Sequence, residues 1–350
     1  MVLVGRGRRS VDAIREHGER LAEAVREAGG RAAVIEADRG ARWVAKAADC
    51  DAVLVQYNPF QYGKWGFAPW LPAGLARLRR TPTRPLITLM VHESFVPIAG
   101  WRSALMGLWQ RSQLVALRGV SDVVLASIEP WAELMRRQRP RRPTFHVPVG
   151  SNLPDRRNAR REARAGLGAS DDTLVLASLT TGHPSHLLGH VVSAANAVAE
   201  RRGRALLLHL GAGAPPLDGV EEGVRVYAPG RLPVGSLAET LASADLYLAP
   251  FVDGVSTRRS SMMAALQHAL PIIGTDGPLT DAQLREASDA LRLVPVDVPG
   301  LFTDAVVELA ESAEKRQQLG ERGRRLYERC FDWSVIVRRL NEILGAESWQ

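Results

Sequence analysis

Cysteine is scarce in this sequence: among 350 residues only Cys50 and Cys330 are cysteines, and they lie far apart along the chain. Two distant cysteines exclude a disulfide framework and a zinc module built on thiolates, and they fit a reducing cytoplasm. No apolar run reaches the ~20 residues that span a bilayer, and no apolar stretch follows the first charges, as a cleavable signal would require. We therefore expect a cytoplasmic protein whose contact with the inner face of the membrane, if it has one, is peripheral.

Motifs for metal ions and dinucleotide cofactors are also missing. The run that begins with Gly5 and Arg6 falls short of G-x-G-x-x-G, which argues against a dinucleotide cofactor. No Asp-x-Asp motif follows a predicted strand. His183, His186 and His190 are spaced to share a helix face, which can suit zinc, but loop and ligand-contact roles are favoured because no further ligand is nearby. We expect no metal and no cofactor.

Basic residues outnumber acidic ones, 45 against 38, so the formal net charge is +7. Arginines cluster at 6–9, 77–80, 136–137 and 139–142. Such clusters suit phosphate-bearing ligands, nucleic acid or an anionic membrane surface, or they are simply solvated helix faces. No nucleic-acid-binding motif accompanies them, so we expect no nucleic-acid partner.

Short apolar runs alternate with amphipathic stretches in both halves of the chain. This alternation predicts an α/β protein of two Rossmann-like domains, with parallel sheets covered on both faces. Ligands of such sheets bind at the carboxyl ends of the strands, so we expect a site in a cleft between the domains. The predicted strands are 2–4, 31–36, 52–56, 85–91, 123–126 and 144–147 in the first half, and 174–178, 205–209, 224–226, 246–249, 271–274 and 291–295 in the second.

The domain boundary is predicted near residue 154. A turn rich in proline and glycine at 148–154 precedes a polar, basic stretch at 155–161 that has the composition of a linker. The predicted domains are therefore 1–154 and 155–332, followed by a C-terminal helix at 333–350 that packs back toward the first domain.

The loop after the strand predicted at 246–249 carries hydroxyl and arginine side chains, and a helix is predicted to begin at Ser260. Helix N-termini expose backbone N–H groups, and hydroxyls and guanidinium forks donate to phosphate oxygens. The segment is a candidate diphosphate cradle, although a serine there can also simply cap the helix. Its candidate ligands are Ser256, Thr257, Arg258, Arg259, Ser260 and Ser261.

Several segments occur in the order typical of the group-1, family 4 glycosyltransferases of the GT-B fold. Residues 147–152 (VPVGSN) resemble the I-P-N-G-V-D turn, 208–213 (LHLGAG) the L-x-I-x-G-x-G strand, and 330–333 (CFDW) the f-s-W before the closing helix. Residues 229–232 (PGRL) and 241–250 (LASADLYLAP) resemble G-x-v followed by l-x-x-A-D-l-f-l-x-P. The resemblance implies a GT-B, hexosyltransferase-like enzyme of carbohydrate biosynthesis that retains anomeric configuration and needs no metal.

The sequence departs from the family pattern on the donor side. The family's Glu pair falls on Ser256 and Ala264, and Asp253 is the nearest carboxylate. The loop that grips the donor diphosphate in the family reads LTTGHPSH at 179–186 and lacks its basic pair, so the arginines at 258–259 are candidates to supply the charge. By position, the resemblance adds Gly182, His183, Gly211 and Arg231 to the donor-binding residues, and Asp253 as a catalytic residue that holds the sugar or ribose.

In the first domain, candidate acceptor and catalytic residues follow three predicted strands. His92 and Glu93 follow strand 85–91, where the family has residues beside the sugar. His92 is predicted to orient the acceptor or stabilise charge, and Glu93 to act as a base or position a hydroxyl. Loop 56–70 mixes aromatics and amides that can stack on sugars, or can pack on the domain itself. The predicted acceptor-binding residues are Gly5, Arg6, Gln56, Tyr57 and Trp65.

Residues 101–111 combine an aromatic and apolar face with flanking arginines. Such a stripe can contact a membrane that carries a lipid-linked acceptor, but it more often faces the core. We expect a core helix here, with membrane contact as the alternative.

These features together predict transfer of a sugar from a nucleotide-diphosphate sugar to a hydroxyl of a saccharide or glycoconjugate. Such an enzyme works by positioning its substrates and by stabilising the leaving diphosphate electrostatically. Two alternatives remain. One is a non-catalytic nucleotide- or sugar-binding subunit of the same fold, which the missing Glu pair favours, and the other is a GT-B nucleotide-sugar epimerase.

Overall fold

The computed structural model describes residues 2–5, 13–40, 42–96, 100–139 and 141–347. The chain divides into two compact units, unit 1 from residues 1–149 and 333–350, and unit 2 from residues 150–332. The division at Gly150 lies within the turn at 148–154.

Unit 1 contains a parallel sheet with helices between its strands. Its elements up to residue 149 are β1 (Val2–Gly5), α1 (Ala13–Glu27), β2 (Val34–Ala37), α2 (Arg42–Ala48), β3 (Ala52–Tyr57), α3 (Pro59–Tyr62), α4 (Trp70–Leu78), β4 (Leu86–Val91), α5 (Trp101–Val120), β5 (Val123–Ala126), α6 (Glu129–Arg137) and β6 (Thr144–His146). The six strands are ordered β2-β1-β3-β4-β5-β6, and each pair is parallel.

Unit 2 repeats this architecture. Its elements are α7 (Arg160–Gly166), β7 (Leu174–Leu179), α8 (Leu188–Arg202), β8 (Ala205–Leu210), β9 (Val224–Tyr227), α9 (Val234–Ala242), β10 (Leu246–Ala249), α10 (Ser260–Gln267), β11 (Ile272–Asp276), α11 (Ala282–Glu286), β12 (Arg292–Pro295), α12 (Pro299–Glu311) and α13 (Ala313–Cys330). The six strands are parallel and ordered β12-β11-β10-β7-β8-β9. The predicted α/β class with two parallel sheets is confirmed.

The continuous apolar runs of the sequence are the central strands. All residues of β5, β8 and β10 are buried, as expected for parallel strands covered by helices on both faces. All predicted strands are present, and the largest difference is at β2, which begins at Val34 rather than at residue 31.

The last helix, α14 (Trp333–Glu347), belongs to unit 1. Its Ile336, Val337 and Leu340 are buried in the same cluster as Leu21 and Ala24 of α1. The spacing of these side chains by three or four residues puts them on one helix face.

Two segments of unit 1 differ from the sequence prediction. The loop predicted at 56–70 contains α3, a 3-10 turn (Lys64–Gly66) and the start of α4, because Asn58 caps α3 by accepting a hydrogen bond from Phe60 N (3.0 Å). The core position expected for 101–111 is wrong: in α5, Trp101, Leu105 and Leu108 are 74%, 50% and 65% exposed. Only the C-terminal half of α5 is mainly buried. None of the helices in the described part of the chain is long and apolar enough to cross a bilayer.

Each sheet has a point where the strand order reverses, between β1 and β3 in unit 1 and between β7 and β10 in unit 2. Connections on the two sides of such a point leave in opposite directions, which opens a crevice at the carboxyl ends of the strands. The loops after β7 and β10 therefore lie side by side.

Close backbone contact joins the loops that follow β7 and β8. A Cβ atom on Gly211 would lie 1.8 Å from the carbonyl oxygen of Thr180, and one on Gly182 would lie 2.3 Å from that of Gly213. Gly211 and Gly182 also have positive φ angles of 122° and 72°, which side chains disfavour. Glycine at these positions therefore sets the shape of the loop beside the crevice.

We expect Gly211→Ala to lower the free energy of unfolding by about 2–4 kcal/mol, because it adds a backbone clash to an unfavourable φ angle. Gly219→Ala is the matched control, since Gly219 has a φ of 75° and no atom within 4 Å of a Cβ. The control should lose only about 1–2 kcal/mol. Urea titration measures both, and equal losses would show that the close contact is not important.

Candidate functional site

The carboxyl end of the unit 2 sheet brings two loops together at the reversal point. Val252 N donates to Ser185 O (2.9 Å), and Leu187 N donates to Pro250 O (3.0 Å). His186 and Phe251 form the bridge between these bonds, with their rings stacked 4.9 Å apart. The loop after β7 and the loop after β10 thus form one surface.

A carboxylate holds two arginines on this surface. Arg258 is ion-paired with Asp253, and Arg259 Nη2 lies 2.8 Å from the other oxygen of Asp253. The Arg259 guanidinium also stacks 4.0 Å from the centroid of the Phe251 ring, and its Nη2 lies 3.4 Å from Ser185 Oγ. Two guanidinium charges against one carboxylate leave this group of three side chains with one net positive charge. The structure therefore brings Asp253, Arg258 and Arg259 together.

Helix α10 begins directly after the arginines. Its N-cap residue is Arg259, whose side chain makes no capping bond, so Ser260 and Ser261 lie in the first turn instead of capping the helix. The Arg259 carbonyl accepts from Met262 N and Met263 N, 3.0 and 3.1 Å away. The positive end of the helix thus lies next to the two guanidinium groups, and both favour an anion there.

The side chains of Ser256 and Thr257 face inward. Thr257 N and Oγ1 both donate to Asp281 Oδ2, at 2.7 and 3.0 Å, and Ser256, Thr257 and Asp281 are all fully buried. Thr257 therefore supports the loop through Asp281, and direct donor contact by Ser256 and Thr257 stays a prediction. Ala264, where the family pattern has a Glu, is also fully buried.

The three histidines considered as metal ligands have separate surroundings. His183 Nδ1 lies 2.8 Å from Ser185 Oγ, His186 stacks on Phe251, and His190 packs against Phe302. Burial, followed by the positive charge of Arg259, lowers the pKa of His186 to about 4. Among the residues that the structure describes, no three His, Cys, Asp or Glu side chains are grouped so that they could hold a metal ion.

The other donor-side candidates divide into two groups. Gly182 and Gly211 shape the loops after β7 and β8, and His183 is exposed on the first of these loops. Arg231 follows β9, which is separated from β10 by β7 and β8. Three strand spacings, about 14 Å, separate β9 from β10, and the part of Arg231 in donor binding stays a prediction.

Unit 1 buries a polar cluster at the carboxyl end of β3 and β4. His92 Nε2 and His17 Nδ1 lie 2.5 and 3.2 Å from Gln56 Oε1, and the two imidazole rings are 4.7 Å apart. Because an amide oxygen only accepts, both imidazoles donate to it. Burial lowers the pKa of His17 to about 4, and burial and then the charge of His17 hold the pKa of His92 well below its usual range. His92 and Gln56 are thus buried, and their roles in contact with the acceptor stay predictions.

Glu93 remains the accessible carboxylate at this edge. It is half-buried, and its Oε2 accepts from Asn58 Nδ2 (3.0 Å), so the loops after β3 and β4 are joined there. Tyr57 is fully buried and its hydroxyl accepts from Gln113, so its ring packs in the core of unit 1, and its contact with an acceptor stays a prediction.

Trp65 is 60% exposed, and Phe60 and Phe67 beside it are 43% and 54% exposed. Gly5 ends β1 where a Cβ atom would lie 2.8 Å from Gln61 O, so this glycine permits a close approach of backbone. Arg6 lies outside the described residues.

Sequence reasoning missed His17, Asn58, Ser185 and Asp281 as parts of these groups. Each joins a partner on another loop or helix, for example Ser185 with Arg259 at 74 residues' separation. Asp281 had one available signal, because it lies in the first turn of the helix predicted at about 280–287, where Asp is a common N-cap residue.

Solved structures with the same fold cover this chain almost completely. Sucrose-phosphate synthase from Thermosynechococcus elongatus is 15% identical with a TM-score of 0.71, over 99% of this chain and 98% of that one. WaaG, a glycosyltransferase involved in lipopolysaccharide biosynthesis, is 15% identical with a TM-score of 0.67, over 98% and 99%. HepE from Anabaena, in complex with UDP, is 13% identical with a TM-score of 0.67, over 99% of both chains.

These similarities define the class of structure. No protein-family model matches the sequence, and no curated protein matches it. The fold is the GT-B fold of these glycosyltransferases, which confirms at the level of the fold the resemblance found in the sequence.

The Asp253 carboxylate occupies the arginines that an anion would use, so we expect Asp253→Asn to raise the affinity for inorganic pyrophosphate by about threefold or more. The same change should lower the free energy of unfolding by about 1–3 kcal/mol, because two partly buried cations lose their partner. Calorimetric titration and urea unfolding measure the two effects.

Asp155→Asn is the matched control, since Asp155 also joins two arginines, Arg157 and Arg324, in unit 2. It should destabilise unit 2 without tightening the binding of pyrophosphate. An Asp253→Asn protein that binds pyrophosphate no better than wild type would contradict the assignment.

The buried histidines predict a loss of stability in acid. The folded-state pKa of His17 is about 4, below the ordinary value of 6.5, so between these values the unfolded chain binds more protons. The stabilisation is complete above pH 6.5 and is lost as pH falls toward 4, at up to about 1.4 kcal/mol per pH unit for each such histidine. Urea unfolding from pH 7 to pH 4 should show a shallower slope for His17→Gln, and identical slopes would contradict this account.

Proposed function

We propose that this protein transfers a sugar from a nucleotide-diphosphate sugar to a hydroxyl of a saccharide or glycoconjugate. The observation that carries the proposal is the pair Arg258 and Arg259, held together on Asp253 at the reversal point of the unit 2 sheet. Ligands of open α/β sheets bind at that point.

A diphosphate fits this group by charge and by geometry. Guanidinium groups bind phosphate oxygens through paired N–H donors, and the first turn of α10 adds backbone donors beside them. In sugar transfer the nucleoside diphosphate leaves with its negative charge, and fixed positive charge at that position stabilises the transition state. Arg258 and Arg259 therefore replace the basic pair that the loop at 179–186 lacks.

The nucleotide-sugar class of donor has independent support. HepE, which shares the fold over nearly its whole length, was solved in complex with UDP and in complex with UDP-glucose. This chain has the same fold and carries a net positive group at the crevice where its strand order reverses, which suits a nucleotide-diphosphate sugar. His183 and Gly182, on the loop after β7, and Gly211, after β8, complete the donor side of the proposal.

On the acceptor side, Glu93 is the residue we propose to orient or deprotonate the acceptor hydroxyl. It is half-buried at the carboxyl end of β4, and Asn58 holds one of its oxygens. A carboxylate fixed by a neighbour is a suitable base or hydrogen-bond acceptor for a sugar hydroxyl.

The proposed transfer retains anomeric configuration and uses no metal ion and no cofactor. The arginines and the helix end supply the positive charge that a metal would otherwise give to a leaving diphosphate. We place the reaction in the cytoplasm, in keeping with the two free cysteines.

One observation favours a non-catalytic binding subunit as a second candidate. The positions of the family's Glu pair are Ser256 and Ala264, both fully buried and neither a carboxylate. Such a subunit would still bind the nucleotide through the arginine pair, so binding alone does not separate the two functions.

The first experiment measures thermal unfolding with UDP, GDP and ADP and with their glucose conjugates. A ligand at a hundred times its Kd stabilises the folded state by about 2.7 kcal/mol, which raises the Tm by several degrees. Arg258→Ala with Arg259→Ala should abolish the shift, whereas Arg322→Ala with Arg325→Ala, a pair of exposed arginines on α13, should leave it unchanged. A shift that survives in the first variant would remove the proposed donor site.

Product analysis then separates the functions. Transfer to an added saccharide supports the glycosyltransferase. Conversion of the nucleotide sugar to its epimer without acceptor indicates an epimerase, and binding without turnover across a broad acceptor panel indicates a binding subunit. Either of the last two results would contradict the proposed activity.

A further inference from the structure

Unit 1 exposes a continuous apolar surface. Trp101, Leu105 and Leu108 are spaced by four and three residues and so lie on one face of α5. Trp109 of the same helix connects them to the 3-10 turn, because its ring lies 6.5 Å from that of Trp65 and 6.2 Å from that of Phe67. Trp65 and Phe67 are 60% and 54% exposed. We call Trp65, Phe67, Trp101, Leu105 and Leu108, with the neighbouring Lys64 and Arg102, the aromatic–basic surface.

Single exposed apolar side chains are common, but several large ones close together on a folded protein indicate a surface that binds another molecule or a membrane. A core helix turns its apolar side chains toward the interior, but the N-terminal half of α5 turns them toward solvent. Its largest apolar side chains face outward there, while Gly107 and Gln110 are buried. Among the residues that the structure describes, none covers Trp101, Leu105 and Leu108 on this face of α5.

The backbone of Trp65 has a conformation that is unusual for a large aromatic residue. Trp65 has a φ angle of 57°, in the left-handed region that favours glycine. Its carbonyl oxygen accepts from Trp109 Nε1 (3.0 Å) and from Gln110 Nε2 (3.1 Å), and these bonds hold the conformation. A large aromatic residue at such a position lowers the stability of the fold. Its presence there indicates that the exposed ring contacts something outside unit 1.

Two cations lie beside the aromatic rings. The Lys64 ammonium lies 5.6 Å from the Trp65 ring centroid, and the Arg102 guanidinium lies 5.1 Å from that of Trp101. Between residues 52 and 121 the sequence has only Glu93 as an acidic residue. The basic residues of the same stretch are Lys64, Arg77, Arg79, Arg80, Arg84, Arg102, Arg111 and Arg118.

We propose that the aromatic–basic surface docks unit 1 onto a lipid bilayer that contains anionic phospholipids. Tryptophan rings and leucines enter the boundary between headgroups and acyl chains, while lysine and arginine remain at the anionic headgroups. A second copy of this chain is a poorer partner, because a symmetric contact would bring the same cations against one another. The docking does not depend on the proposed sugar transfer.

The test is sedimentation of the full chain with vesicles. Wild type should bind vesicles of phosphatidylcholine and phosphatidylglycerol in equal amounts at least about tenfold more tightly than vesicles of phosphatidylcholine alone. Trp101→Ser with Leu108→Ser should weaken binding to the anionic vesicles by about tenfold or more. Lys64→Glu with Arg102→Glu should weaken it by a similar factor.

Two matched variants lie on unit 2. Val298→Ser with Leu301→Ser removes apolar side chains that are each 43% exposed, and Arg322→Glu with Arg325→Glu makes the same charge change on α13. Both should bind anionic vesicles as wild type does, and circular dichroism melting verifies that all four variants are folded.

Three outcomes would overturn the proposal: wild type that prefers neither vesicle, an apolar or charge variant on unit 1 that is folded and binds like wild type, or an equal loss in the unit 2 variants. Sedimentation velocity without lipid distinguishes self-association. A wild-type dimer that Trp101→Ser with Leu108→Ser dissociates, with no change in vesicle binding, would assign the surface to a second copy instead.

Discussion

The guanidinium groups of Arg258 and Arg259 repel each other, and the carboxylate of Asp253 keeps both at the carboxyl end of β10. Two guanidinium groups and one carboxylate give this group of three side chains one net positive charge. Stacking on Phe251 and the contact with Ser185 fix Arg259 across the two loops. The crevice follows from the reversal of the strand order, and the candidate donor site in it depends on this balance of charge.

The polar side chains at the corresponding edge of the unit 1 sheet are arranged differently. Two histidines are buried there, and burial holds the pKa of both below the ordinary range, while the Gln56 amide oxygen accepts a hydrogen bond from each. Glu93, held by Asn58, is the half-buried carboxylate of that edge. The positive group thus lies in unit 2, where the leaving diphosphate is proposed to bind, and the candidate base lies in unit 1.

The departures from the family pattern follow from packing as well as from charge. Ser256 and Ala264 occupy the positions of a Glu pair, yet both are fully buried, and Thr257 between them is tied to the buried Asp281. A Glu side chain at position 264 would therefore need a charged or hydrogen-bonding partner inside the core. This chain instead has its carboxylate at Asp253, before the glycine turn, where it is partly accessible.

The fold class and the location of the candidate sites were readable in the sequence, since apolar runs of five or six residues predict buried parallel strands and ligands bind where such strands end. Pairings between distant residues were not readable in the sequence. The order of the strands alone brings Thr257 to Asp281 and His17 to Gln56. The face of α5 was misjudged for a related reason. Periodicity identifies an apolar face, but whether another element covers that face depends on the packing of the whole unit, and here none covers its N-terminal half within the described residues.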